Sequence, residues 1–129
     1  MIDERLKLAE EELNEAKEYI KKDNPVQASE KIYKVVEECI KLLAEKNRLT
    51  EYAEAKKEGR WWAHLLGSAA HNLGVKLKEN KIEDSWARAY NLHVWGFHEH
   101  KYGIEIVVGS LTYAEWILDY TKNLKPKSF

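Results

Sequence analysis

Lys21-Lys22-Asp23-Asn24-Pro25-Val26-Gln27-Ala28 decides how this chain folds. Upstream, Ile2, Leu6, Ala9, Leu13, Ala16 and Ile20 recur at intervals of 4-3-4-3-4. That is one apolar stripe on a helix over 3–22, with Glu and Lys on the remaining faces. Asp3 and Glu4 open this helix and Lys21 and Lys22 close it, the order of charge that the helix dipole favours. Downstream, Ala28, Ile32, Val35, Val36, Cys39, Ile40 and Leu43 mark a second helix from 25 to about 47. Asn24 has the side chain to cap it, and Pro25 fits its first position, where a missing N–H costs nothing. With so short a joint the two helices must run antiparallel as neighbours, an αα-hairpin.

The rest of the chain continues in helical text. Asn47-Arg48-Leu49-Thr50 breaks the pattern, and Thr50 is expected to cap a short helix over 51–58 that stops at Gly59. Trp61–Glu79 reads as the next long helix, with Trp62, Leu65, Leu66, Ala69, Leu73 and Leu77 facing inward. Gly67 and Gly74 share one of its faces and admit a close neighbour. A turn over 80–84, with Asp84 or Ser85 as cap, leads to a helix over about 84–100. Gly103 is a joint, and a last helix over 104–123 carries Ile106, Val107, Leu111, Ala114, Ile117 and Leu118. Ile104 to Val108 is β-prone but continues into the helical pattern, and Lys125-Pro126-Lys127 reads as a frayed tail. The expected fold class is all-α: an antiparallel up-and-down bundle of about five helices, one domain over 1–129.

Composition narrows the functions. Lys+Arg 21 against Asp+Glu 22 excludes a strongly basic nucleic-acid binder and leaves room for a local basic patch. The single cysteine, Cys39, rules out an internal disulfide and a Cys-based zinc cluster, and its place in an apolar stripe makes it a small buried hydrophobe. Met1 is followed by Asp3, Glu4 and Arg5 without a signal-like apolar core. No apolar run approaches the ~20 residues that span a bilayer. A cytoplasmic protein with no membrane partner is expected.

Gln27-Ala28-Ser29-Glu30-Lys31-Ile32-Tyr33, taken with Trp86, Ala89, Leu92-His93 and Phe97-His98-Glu99, resembles the archaeal PaREP family over nearly the whole chain. That family is placed with the HEPN (higher eukaryotes and prokaryotes nucleotide-binding) domains. The resemblance implies an HEPN-like helical bundle that forms a homodimer. HEPN proteins include metal-independent endoribonucleases and toxins as well as inactive partners of nucleotidyltransferases. Active members resemble one another in an Arg, a polar residue, three further residues and a His. Arg88 and His93 match the outer positions, while Ala89 stands where those members carry Asn, Asp or His.

The chemistry-bearing residues gather in Trp86–Tyr102, which holds three of the five histidines. As a catalytic pair, His93 would move the proton of a ribose 2′-hydroxyl and Arg88 would hold the phosphate. Five residues turn an α-helix by roughly 500°, leaving the two side chains about 140° apart. Either Arg88 reaches round the helix or a second subunit completes the pair. His93 also lies on the stripe Trp86–Tyr90–His93–Phe97 and reads as a core histidine bonded to a carboxyl or carbonyl. Trp95 lies off that stripe and is the tryptophan expected to be partly exposed; it joins His98 and Glu99 as candidate binding residues.

His98, Glu99 and His100 point in different directions on a regular helix, and no i, i+4 histidine pair is present, so no metal site is expected. Arg60, His64 and His71 read as a solvated or dimer-facing stripe. Glu30, Glu37 and Glu38 read as an outer charged face. With no Gly-rich phosphate loop and no Ser-His-Asp or Cys-His set, no cofactor is expected either. Three functional readings follow. The first is a dimeric module binding RNA, a nucleotide or a protein partner without catalysis. The second is a metal-independent endoribonuclease using Arg88 and His93, and the third a purely structural dimeric scaffold.

Overall fold

A computed structural model describes residues 4–124. Six α-helices follow in order: α1 (Glu4–Lys21), α2 (Pro25–Lys46), α3 (Thr50–Glu58), α4 (Ala63–Leu77), α5 (Lys81–Asn91) and α6 (Ile104–Asn123). A π-helical segment, Leu92–His98, continues α5 without a break. No strand occurs among the described residues. Ile2, Asp3 and the 125–127 tail lie outside them.

The hairpin forms as the local chemistry dictates. Pro25 occupies the first turn of α2, and the Gln27 N–H donates to Asn24 Oδ1 at 3.2 Å. Asn24→Ala removes that acceptor and is expected to cost about 1 kcal/mol. The check is a lowered urea midpoint with an unchanged denaturant slope. Asp23, in the left-handed region at φ 55°, makes the reversal.

α2 is the centre of the molecule. It packs against all the other helical elements. Eleven of its 22 residues are buried, from Ala28 to Ala44, too many for the single stripe of a surface helix. Ile32, Val35, Val36, Ile40, Leu42 and Leu43 are all fully buried. Cys39 lies among them, and burial pushes its thiol up to about 12, so it is an inert core residue. α1 lays Ala9, Leu13 and Ala16 on this core, and α6 closes it with Val107, Ala114, Ile117 and Leu118.

Several helix ends differ from expectation. Thr50 does not cap α3: Leu49 holds that position without a side-chain bond, and Thr50 is already helical. Gly59 does end α3, in the left-handed region at φ 77°. α4 begins at Ala63, which leaves Trp62 exposed on the connection instead of inward. There its indole N–H donates to Glu58 and the Arg60 guanidinium stacks 3.6 Å over the ring. α5 starts at Lys81, so Asp84 and Ser85 are helical and cap nothing; the Ser85 hydroxyl donates back to Lys81 O at 2.8 Å. Ile106 is exposed on α6. Gly67 does admit a close neighbour, since a Cβ there would stand 3.1 Å from Trp86 Nε1.

No helix among the described residues is long and apolar enough to cross a membrane.

Candidate functional site: a π-turn and a cationic groove

The expected helix over about 84–100 changes winding at Leu92. Through His98 the backbone follows i→i+5 bonding, and the Glu99 N–H donates to Val94 O at 2.9 Å. A π-turn holds one residue more than an α-turn, so side chains five apart, not four, come to lie over one another. Within this segment Gly96 is buried against Ser29 of α2. Only a residue without a side chain lets the two backbones approach this closely.

The π-turn turns His93 towards α2. Its Nδ1 lies 2.8 Å from Glu30 Oε1, and its ring stacks on Tyr33 with centroids 4.2 Å apart. The carboxylate accepts from Nδ1–H, and Nε2 is the nitrogen that faces away from α2 towards His98. His98, five residues on, places its own Nε2 3.2 Å from His93 Nε2. The expected ring stripe is present: Trp86 and Tyr90 stack at 5.4 Å, and His93 and Phe97 at 6.1 Å. Burial, followed by the charges of Glu37 and Glu30 and by Tyr90, pushes the Tyr33 phenol up and keeps it neutral.

His93 is therefore both bonded to a carboxyl and open to solvent, its side chain 23% exposed. Trp95 is 45% exposed, as its position off the stripe implied. Glu99 is exposed and ends the π-turn. Arg60, His64 and His71 are exposed, and His71 pairs with Glu83 at 3.0 Å.

Arg88 faces the other way. Its Nη1 donates to Ser110 Oγ at 3.1 Å, and its guanidinium lies 5.2 Å from the Tyr113 ring centre. The chain thus sends Arg88 to α6 and His93 to α2, and does not bring the two together. Arg88 instead shares a groove between α5 and α6 with Lys81, Gly109, Thr112 and Tyr113, a cavity of about 330 Å³. Lys81 sits 5.2 Å from the centre of the Trp116 ring. Among the described residues, both cations are held by neutral partners, a hydroxyl and two aromatic rings, and no carboxylate lines the groove.

Two parts of this arrangement escaped the sequence. Glu30, expected on a solvated face with Glu37 and Glu38, reaches a histidine 63 residues away; only Glu37 and Glu38 behave as expected, pairing with Lys41. Lys81 is seven residues before Arg88, two turns along one α-helical face, and that spacing is the signal that could have found it.

A sequence profile described as the archaeal PaREP1/PaREP8 family matches residues 4–118. The fold resembles a crystal structure of a Sulfolobus solfataricus protein, with a TM-score of 0.79 and 36% identity, covering 89% of this chain and 93% of that one. No functionally curated protein matches the chain.

Proposed function

We propose, for a chain that belongs to the archaeal PaREP1/PaREP8 family, an HEPN-like module that acts in the cytoplasm as a homodimer and binds RNA through its phosphates. The groove between α5 and α6 carries this reading, because Lys81 and Arg88 line it with their charges unneutralised. A guanidinium held by a single hydroxyl keeps N–H groups free for a phosphate. Thr112 and Tyr113 complete the lining, and Gly109 leaves open space on the α6 side. Trp95, His98 and Glu99 lie on the neighbouring π-turn, where an exposed indole can stack a base. In the single chain both His93 and Trp95 reach solvent.

The test is titration of a labelled single-stranded oligoribonucleotide into the protein at several salt concentrations. Binding should weaken linearly on a log–log salt plot. Lys81→Gln and Arg88→Gln should each lower the slope by about 1. Unchanged affinity in the double variant rejects the groove as the RNA site.

The endoribonuclease reading is favoured by one observation, the Glu30–His93 bond that orients an accessible imidazole. Arg88 and His93 would then have to meet across the dimer. RNA cleavage in EDTA, lost in His93→Ala with the fold retained, is its expected result; cleavage by that variant rejects it.

A further inference from the structure

His93 and His98 meet only because the backbone between them is π-helical. On an α-helix a spacing of five residues separates side chains by about 140°; here the two Nε2 atoms are 3.2 Å apart. Two imidazole nitrogens bound tetrahedrally at 2.0–2.1 Å to one zinc-like ion stand about 3.3 Å from each other. The rings meet edge to face, their centroids 4.5 Å apart at an interplanar angle of 82°. The same spacing lets His98 Nε2–H donate to His93 Nε2.

The surroundings match what a metal-binding histidine requires. Glu30 accepts from His93 Nδ1–H, the carboxylate–histidine arrangement that fixes the tautomer and makes Nε2 a better donor to a metal. Tyr33 stacks on the His93 ring, and Phe97 meets the His98 ring edge-on at 5.1 Å. The His93 imidazole is thus held by packing, and the exposed His98 ring rests against Phe97.

We propose that His93 and His98 form a two-nitrogen chelate for a borderline divalent transition-metal ion, with Glu30 holding His93 from behind. No set of three or more His, Cys, Asp or Glu groups among the described residues could hold an ion. The remaining coordination positions therefore belong to water or to a small oxygen or nitrogen ligand. Imidazole pairs select zinc, cobalt, nickel and copper, and discriminate against magnesium and calcium, which take oxygen ligands. The expectation of no metal assumed regular α-helical rotation and so did not consider the pair five apart.

The test uses the full chain without an added histidine tag and metal salts alone. Cobalt(II) absorption and calorimetry with zinc sulfate should report one ion per chain, and magnesium chloride should give no signal. His98→Ala removes an exposed side chain and should retain the fold while weakening zinc binding at least tenfold; His98→Gln, closer in size, should do the same. Glu30→Gln should weaken it about 10- to 100-fold. Lys81→Gln should leave it unchanged, which separates this site from the RNA groove. Absence of zinc binding at millimolar concentration, or equal binding by the His98 variants, overturns the proposal.

Discussion

Gly96→Ala is expected to destabilise the protein by about 1–3 kcal/mol, the cost of forcing a methyl group into a packed interior. The glycine is needed for space and not for a left-handed φ, since it lies within the π-helical turn. A Cβ at this position would collide with Ser29 Oγ and stand 2.8 Å from Ser29 Cβ. Ser29 has no exposed surface and belongs to the central helix α2, so it cannot yield. The π-turn must instead lift away from α2, carrying His93 off Glu30 and Tyr33. Thermal and urea unfolding should show the loss, and near-UV circular dichroism should change because Tyr33, Trp86 and Tyr90 pack around His93. The Ser29 hydroxyl has no hydrogen-bond partner among the described residues, so Ser29→Gly sacrifices no bond. Combined with Gly96→Ala it should recover part of the lost stability, giving a coupling energy characteristic of residues in contact. Strict additivity of the two substitutions would refute the contact.

The second large effect is expected at Glu51, a carboxylate only 7% exposed that ties α3 to α4. Its Oε2 accepts from Ser68 Oγ and Asn72 Nδ2, both at 2.6 Å, and its Oε1 accepts from Thr50 Oγ1 at 3.4 Å. Ser68 and Asn72 are four apart on α4 and so present their donors side by side. Burial pushes the Glu51 carboxyl up, but the bonds from Ser68, its own backbone, Asn72 and Thr50 outweigh it and hold the group below its ordinary 4.5. Glu51→Ala should cost about 1–3 kcal/mol at neutral pH. A carboxylate with a depressed folded value stabilises the protein above its unfolded value, and the contribution disappears as pH falls through the folded one. The stability difference between the wild type and Glu51→Gln should therefore be constant above pH 4.5 and shrink below it. Urea midpoints of both proteins between pH 7 and pH 3 measure this, and a constant difference down to pH 3 would contradict the assignment.

Both effects sit where distant parts of the chain meet, and there the sequence was hardest to read. The C-terminal end of α1, the ends of α2 and α6 and the stop at Gly59 agree with expectation, because a stripe, a capping side chain or a glycine is local information. Thr50, Asp84 and Ser85 misled for the complementary reason. Each is a good capping residue, but Leu49 and Asn80 take the positions before the helices without a side-chain bond. Ser85 is held inside α5, buried and bonded to Lys81 O.

The site divides the same way. Trp95 was legible as exposed because exposure off an apolar stripe follows from periodicity alone. The Arg88–His93 spacing was legible too, and so was the rotation that keeps the pair on different sides of one helix.

The sequence by itself determined the all-α class, the hairpin, the family resemblance and the stretch Trp86–Tyr102 as the place to look. These depend on residues within two helical turns of one another or on motif matching. Only the tertiary structure decided that α5 passes into a π-turn, that Glu30 holds His93, that His98 rather than Arg88 joins it, and that Arg88 shares a groove with Lys81. Backbone winding responds to what the helix is pressed against. Here that is Ser29 of α2 against Gly96, a contact between residues far apart in sequence that no helical periodicity encodes.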